Sequence, residues 1–229
     1  MNRICQVVGR LMCLMALPLS LAHAAAVCDT LDTPAMQAPQ AKSAVLLDLA
    51  RAGARLVAVG ERGIVLLSDD NGVSWRQTAV PVSVSLTAVQ FIDANTGWAV
   101  GHAGVVLVSH DGGEHWALQL DGLRAAQLEL ASARQQLPSA NDQDAAAARV
   151  QTAERLAGEG ADKPFLAVQF VDARHGLIVG AYGLAFRTDD GGTTWQSIMG
   201  SIDNPMGAHL SAITQQGQHW FLAGEQGYL

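Results

Sequence analysis

Short runs of apolar and β-branched residues, separated by glycine and by acidic or amide residues, recur along most of this chain. Residues 98–100, 105–108 and 177–179 are typical runs, each bounded by turn-forming residues. Buried helices need longer apolar segments with a period of about 3.6 residues. The pattern therefore predicts many short antiparallel strands joined by tight turns.

The strand pattern itself repeats at a fixed spacing. Three segments, 45–75, 86–116 and 165–195, align with one another without gaps. Each begins with a strand-like run, continues through a G-x-x-G turn and ends in the motif S/T-x-D-x-G-x-x-W. A repeat of about forty residues with room for four short strands predicts the blade of a β-propeller.

A fourth copy of the repeat begins at Leu210 and matches the second copy in frame as far as Leu229. The printed sequence stops before this copy reaches its own S/T-x-D-x-G-x-x-W motif. We therefore expect an all-β fold over residues 43–229, with three complete four-stranded antiparallel blades and one partial blade. Since propellers typically close with about four to eight blades, we also expect the chain to be part of a longer protein.

An insertion at about 121–162 separates the second copy from the third. Its first half is rich in Ala, Gln and Arg and has a leucine at every seventh position, which favours a helix. Asn141 or Asp142 can cap a second helix, which the glycines of 158–160 would end. The insertion is predicted to be an α-helical hairpin, which either stands out from the propeller or packs as a flap on its own blades. Its candidate partner-binding side chains are Leu123, Leu130 and Leu137.

The beginning of the chain has the composition of an export signal. Arg3 and Arg10 precede or flank an apolar run, and the small residues Ala22 and Ala24 fit a cleavage site. Residues 1–24 are therefore predicted to be a Sec-type signal peptide, followed by a linker at 25–42. This predicts a periplasmic or equivalent extracytoplasmic protein. No later apolar run reaches the roughly 20 residues that span a membrane, so we expect no membrane-spanning segment after cleavage.

The formal charge of −7, from 14 basic and 21 acidic residues, argues against nucleic acid as a partner. The histidines are scattered over different repeat positions, and no H-E-x-x-H pair, phosphate-binding glycine loop or nucleophile elbow is present. The sequence therefore predicts no catalytic residue, no metal site and no cofactor.

The S/T-x-D-x-G-x-x-W motif has a local structural explanation. Its Asp and Ser/Thr side chains can bond the free backbone groups of a tight turn, its Gly permits positive φ, and its Trp can fill the gap between sheets. A calcium site at 69–72 is a weaker alternative, because the later bidentate Glu of an EF-hand loop is absent. Structural roles are predicted for Ser68, Asp70, Gly72, Trp75, Ser109, Asp111, Gly113, Trp116, Thr188, Asp190, Gly192 and Trp195.

This motif is the Asp box, and the whole repeat resembles the BNR repeats of sialidases and, more closely, the photosystem II stability/assembly factor family. The closer resemblance rests on the pattern V-x-F-x-D-x-x-x-G-(W/L)-x-V-G-x-x-G, which is present at 89–104 and again at 168–183. It implies a non-catalytic exported propeller that acts as a protein-binding scaffold or assembly factor. The resemblance also implies a membrane-associated client protein.

Two other functions stay open from the sequence. One is a sialidase-like protein that binds glycans or is a degenerate glycoside hydrolase, and the other is a structural repeat within a larger envelope protein. The F/Y-R-I-P segment of sialidases is absent, and the only tyrosines are Tyr182 and Tyr228. A hydrolase mechanism would lack candidates for several of its roles.

Overall fold

Antiparallel β-sheets that follow one another along the chain make up most of the fold. The structure is a computed structural model, and it describes residues 30–229. Three sheets have four strands each, in sequential order, and a fourth sheet has two strands. This arrangement confirms the predicted all-β propeller with three complete blades, a partial blade and an inserted helical hairpin.

The strands of each blade form a meander in which every strand pairs with the next. Blade 1 consists of β1 (Leu46–Ala52), β2 (Arg55–Gly60), β3 (Val65–Ser68) and β4 (Arg76–Gln77). Blade 2 consists of β5 (Leu86–Phe91), β6 (Gly97–Gly101), β7 (Val106–Ser109) and β8 (Ala117–Leu120). Blade 3 consists of β9 (Phe165–Phe170), β10 (Gly176–Gly180), β11 (Ala185–Thr188) and β12 (Gln196–Ser197). The partial blade consists of β13 (Leu210–Gln216) and β14 (His219–Gly224).

The blades pack face to face, and their first strands, β1, β5, β9 and β13, lie side by side. Every residue of β6 and β10 is buried, because each of these strands is covered on both faces of its sheet. This burial explains why the sequence shows continuous apolar runs rather than an alternation of apolar and polar residues. Removal of these side chains from water is the main stabilising term of the fold.

The V-x-F-x-D-x-x-x-G part of the repeat forms the hairpin between the first two strands of a blade. Phe91 pairs with Gly97 across the strands, and a Cβ at Gly97 would lie 2.5 Å from the Phe91 ring. Asp93 accepts hydrogen bonds from the backbone N–H groups of Asn95 and Thr96, both at 2.7 Å. The motif is thus a cross-strand aromatic–glycine pair with its own turn.

Aromatic side chains fill the boundary between blades 2 and 3. The Trp98 ring stacks on Phe170 with centroids 3.5 Å apart and planes within 3°. Trp195 of the third Asp box meets Phe170 edge-on, with centroids 6.1 Å apart. Such pairs add to the stability gained from burial alone, by about 0.5–1.5 kcal/mol each.

Helices α1 (Gly122–Gln136) and α2 (Gln143–Glu159) form the inserted hairpin. Asp121 caps α1 by accepting the N–H of Arg124 at 2.8 Å. Of the two predicted capping residues for α2, the structure uses Asp142, which accepts the N–H of Ala145 at 2.9 Å. Gly160, with φ of 86°, follows the second helix.

The hairpin packs on its own propeller, which is the second of the two arrangements expected from the sequence. Helix α1 packs against β12 at the outside of blade 3. The carboxylate of Glu129 is only 2% exposed and accepts bonds from the Arg149 guanidinium at 2.8 and 2.9 Å, as well as from the Ser197 hydroxyl. This buried ion pair joins α1, α2 and blade 3, and it fixes the hairpin against its own propeller.

The three leucines predicted to bind a partner lie outside the fully buried face of α1. Leu123 is 47% exposed, whereas Leu130 and Leu137 are half-buried. The fully buried positions of this helix are Ala125, Ala126, Glu129 and Ala133. Small residues let the helix approach blade 3 closely, and Glu129 is tolerated there because Arg149 neutralises it.

The segment before β1 lies against blade 1. The N–H of Ala35 donates to the carbonyl of Val80 at 2.9 Å, and the Gln37 amide donates to the carbonyl of Thr78 at 3.1 Å. Further along, Ala41 packs with Leu66 on the face of blade 1 that does not contact blade 2. The described part of the predicted linker is therefore bound to the first blade.

Candidate functional site

The Asp-box turns, which join the third and fourth strand of each blade, lie at one end of the propeller. In blade 1 the Asp70 carboxylate accepts bonds from the Ser68 hydroxyl and from the N–H of Ser74, both at 2.8 Å. The Ser68 hydroxyl also accepts the N–H of Gly72 at 2.8 Å, and Trp75 closes the turn by donating to the Gly72 carbonyl. Every fixed position of the motif thus has a partner inside its own turn.

These bonds stabilise the ionised form of the motif carboxylates. They lower the pKa of Asp70 to about 2, with the Ser74 hydroxyl as the largest cause, followed by the Ser74 N–H and the Ser68 hydroxyl. The pKa of Asp190 is lowered in the same way, mainly by the hydroxyl of Thr194. Carboxylates held in this state act as hydrogen-bond acceptors for the turn.

The second and third Asp boxes depart from the first in one detail each. In blade 2, His115 replaces the Ser or Thr, and its Nδ1 lies 2.7 Å from the Asp111 carboxylate. Burial would raise the pKa of Asp111, but the bonds from His115 and Ser109 outweigh it, so that the pKa is lowered. In blade 3 the indole N–H of Trp195 is buried and unpaired, whereas that of Trp116 donates to Gly113 at 3.0 Å.

We expect Asp190→Ala to lower the free energy of unfolding by about 1–2 kcal/mol, since three bonds to a partly solvated carboxylate are lost. Denaturant titration of the variant measures this change. Asp189→Ala is the matched control in the same turn, because Asp189 makes only an exposed ion pair with Arg187 and should cost at most about 1 kcal/mol. Equal losses in the two variants would contradict a structural role specific to the motif position.

The opposite end of the propeller carries the G-x-x-G turns and both ends of the helical insertion. We call it the insert-bearing face, formed by residues 61–63, 102–104, 121–123, 160–163, 181–183 and 225–227. The third residue of each G-x-x-G turn has positive φ, between 54° and 57°, although none of them is glycine. These residues are Arg62, Ala103, Tyr182 and Gln226. Such conformations are uncommon outside glycine, and their side chains differ from blade to blade.

The insertion leaves and returns at a single point on this face. A Cβ at Gly104 would lie 2.5 Å from the Cα of Gly122, and a Cβ at Gly122 would lie 2.8 Å from the Ala103 carbonyl oxygen and 3.0 Å from the Cα of Ala161. Both ends of the insertion therefore meet over the G-x-x-G turn of blade 2. This close approach lets blades 2 and 3 pack normally despite the inserted residues.

Beside this point lies a cluster of an aromatic ring and charged groups. The Tyr182 ring is 54% exposed and has the Lys163 ammonium 4.9 Å from its centroid. The His209 ring lies 5.0 Å from the Tyr182 ring. Lys163 also bonds Asp162 at 2.6 Å and Glu159 at 2.9 Å, and the Asp162 bond is the main reason that its pKa is raised. An exposed ring beside fixed charges suits contact with a protein surface.

The structure separates the predicted site residues into two groups. The Asp-box residues lie at the end opposite the insertion, whereas Leu123 lies on the insert-bearing face next to Gly122. Sequence reasoning missed the cluster around Tyr182. The signal in the sequence was a tyrosine at the third position of a G-x-x-G turn, but the approach of Lys163 depends on the path of the insertion.

Within residues 30–229, no group of His, Cys, Asp and Glu side chains is placed to hold a metal ion. Among the helices of that same range, none is both long and apolar enough to cross a membrane. The predicted signal peptide at 1–24 lies outside the described residues.

Comparison with known proteins identifies the repeat. The sequence profile of the photosynthesis system II assembly factor YCF48 family matches residues 67–136 and 149–229, which together are more than half of the chain. This chain belongs to that family. The unmatched residues between the two ranges, 137–148, include the connection between α1 and α2. No curated protein matches the sequence.

Solved structures similar to this chain include YCF48 from Cyanidioschyzon merolae, with a TM-score of 0.51 and 21% identity. The likeness covers 80% of this chain and 48% of that one, and it shows the fold alone. A structure described as YCF48 bound to D1 peptide has a TM-score of 0.48 and 18% identity, over 83% of this chain and 57% of that one. The chain thus spans about half the length of these family structures.

Proposed function

We propose that this protein is a non-catalytic, protein-binding assembly factor of photosystem II. The observation that carries the proposal is the family match over both parts of the chain, which includes all three Asp boxes and most of the hairpin. A propeller suits this role, because its rigid blades hold turns and insertions from several repeats on one face.

The chemistry of the described carboxylates supports a role without catalysis. Asp70 and Asp190 have lowered pKa values and are bonded by their own turns, so that neither is prepared to donate a proton. A glycoside hydrolase needs a carboxylic acid with a raised pKa beside a second carboxylate or another nucleophile. In this proposal the Asp-box carboxylates stabilise their turns and take no part in catalysis.

We place the partner-binding site on the insert-bearing face. Leu123 and Tyr182 are exposed there, and Leu130 and Leu137 of the packed hairpin are half-buried. The hairpin would form one wall of the site. A membrane-associated client would approach this face while the Asp-box end stays free.

We further propose that residues 1–24 direct export and are removed. Amino-terminal sequencing of the protein recovered from the extracytoplasmic fraction of a bacterial host should begin at Ala25. Recovery of the uncleaved chain in the cytoplasm would contradict this part of the proposal.

The test of the proposed function is direct binding to a synthetic D1 peptide, hereafter the client peptide. We chose it because a similar structure is described with such a ligand. Isothermal titration calorimetry should show saturable binding, and a scrambled peptide of the same composition should not bind. The proposal would be overturned if the folded protein did not bind the client peptide. Hydrolysis of a fluorogenic sialoside by the protein would overturn it as well.

A further inference from the structure

The only Asn-Gly pair in the sequence, Asn71 and Gly72, lies in the Asp box of blade 1. Asn71 is exposed and has φ of 57°, and Gly72 follows with φ of 88°. The other two Asp boxes have glycine at the position of Asn71, namely Gly112 and Gly191, both with positive φ. Asparagine tolerates positive φ better than most residues with a side chain, so it fits this turn. It also places a side-chain amide next to a glycine N–H, which the other two boxes lack.

An asparagine followed by glycine can react with its own backbone. When the Gly72 nitrogen loses its proton to solvent, it can attack the side-chain carbonyl carbon of Asn71. The new C–N bond closes a five-membered succinimide, the bond to the side-chain nitrogen breaks, and that nitrogen leaves as ammonia after it takes up a proton from water. Water then opens the succinimide at either carbonyl and gives aspartate or isoaspartate. The surroundings of the Gly72 N–H therefore set the rate of this reaction.

The Asp box holds this N–H group in a hydrogen bond to a buried acceptor. The Gly72 N–H donates to the Ser68 hydroxyl at 2.8 Å, and Ser68 is 1% exposed. The Ser68 hydroxyl donates its own proton to the Asp70 carboxylate at 2.8 Å, which leaves its lone pair to Gly72. The Trp75 indole donates to the Gly72 carbonyl at 3.1 Å. Both polar backbone groups of Gly72 are thus fixed, and its nitrogen is shielded from solvent base while the box is closed.

We propose that Asn71 is a site of spontaneous deamidation that the closed Asp box protects, so that it reacts only when the turn of blade 1 opens. Reaction through a minor open state proceeds at the rate of the free sequence multiplied by the open fraction. Isoaspartate adds one carbon to the main chain, and this displaces the Gly72 N–H from Ser68. The modification therefore keeps the turn open, and it marks irreversibly the molecules in which blade 1 has loosened.

The repeat supplies matched positions for a test of this proposal. In blade 2 the Ser109 hydroxyl accepts the N–H of Gly113 at 2.9 Å, and in blade 3 the Thr188 hydroxyl accepts the N–H of Gly192 at 2.8 Å. Serine and threonine therefore make the same bond at this position of the motif. Ser109 is also as buried as Ser68, so loss of either hydroxyl should destabilise the fold to a similar extent. Only one of the two losses opens the box that contains the asparagine.

The test measures the deamidation rate of Asn71 in the purified full chain during incubation in mildly alkaline buffer. Digestion followed by chromatography and mass spectrometry separates the asparagine, aspartate and isoaspartate forms, and a synthetic peptide of residues 68–75 gives the unprotected rate. We expect the chain to react at least about tenfold more slowly than the peptide, because only the open fraction reacts. Ser68→Ala removes the acceptor of the Gly72 N–H and should raise the rate in the chain by about tenfold, the effect of losing one bond to a buried group.

Three further variants connect the rate to this hydrogen bond. Ser68→Thr keeps the hydroxyl, as Thr188 does in blade 3, and should react at the wild-type rate. Ser109→Ala loosens the Asp box of blade 2 and should also leave Asn71 at the wild-type rate. Asn71→Gly introduces the residue of the other two boxes and should abolish the reaction at this position. Circular dichroism establishes whether each variant is folded.

A second measurement needs no variant. Hydrogen exchange at the Gly72 amide should be slowed in the wild-type chain by the same factor as deamidation, within about threefold, because both reactions pass through the same opening. The proposal is overturned if the two factors disagree, or if Asn71 reacts as fast in the chain as in the peptide. It is also overturned if Ser68→Ala leaves the rate unchanged, or if Ser109→Ala raises it equally, which would mean that global unfolding exposes the site. No partner takes part in these measurements, so they are independent of client binding.

Discussion

Replacement of residues 123–160 by a short Gly-Ser linker is expected to abolish binding of the client peptide while the β-sheet signal in circular dichroism remains. The two ends of the insertion meet at Gly122 and Ala161, so a short linker can close the gap without separating blades 2 and 3. The replacement removes Leu123 and the proposed wall of the site. Calorimetry of the variant with the client peptide measures the effect.

The deletion also uncovers β12, because α1 packs against it, and some loss of stability is expected. Leu123→Glu separates the two effects. Leu123 is exposed in the first turn of α1, where an acidic residue interacts favourably with the helix dipole, so this variant should fold normally. We expect it to weaken client binding by about tenfold, the loss of one well-placed apolar contact. Normal binding by both variants would rule out the hairpin as part of the site.

Glu129→Ala is expected to lower the free energy of unfolding by about 2–4 kcal/mol, since it leaves the Arg149 guanidinium without its buried partner. The Glu129 side chain is fully enclosed, whereas Arg149 keeps some exposure and two further acceptors, Gln136 and Ser132. These acceptors keep the expected loss below that of a completely buried pair. Chemical denaturation of the full chain measures the change.

Two further variants identify the cause of this loss. Glu154→Ala removes an exposed ion pair with Arg134 on the same hairpin and should change stability by at most about 1 kcal/mol. The double variant Glu129→Leu with Arg149→Leu removes both charges and should recover much of the stability lost in Glu129→Ala, because no unpaired buried charge remains. A double variant that is less stable than Glu129→Ala would show that the charges themselves hold the hairpin in place.

The sequence by itself determined the blades. Each repeat contains local pairs that need no information from elsewhere in the chain, such as the carboxylate of Asp70 with the backbone of its own turn, or Phe91 with Gly97 across one hairpin. Helix caps were equally local, and Asp142 was among the two residues predicted for α2. Interactions within a few residues fix the spacing of the residue types that make them, and that spacing can be recognised in the sequence. Its repetition predicted the propeller.

Only the tertiary structure decided where the insertion lies. Periodicity identified an apolar leucine stripe on α1, but it did not reveal that the buried centre of that helix is Glu129, which pairs with Arg149 twenty residues later and with Ser197 on blade 3. From the sequence alone, a charged residue is predicted to be solvent-exposed unless its ion-pair partner is known. Here the fold alone places that partner beside Glu129. The cation of Lys163 over Tyr182 depends on the same long-range packing.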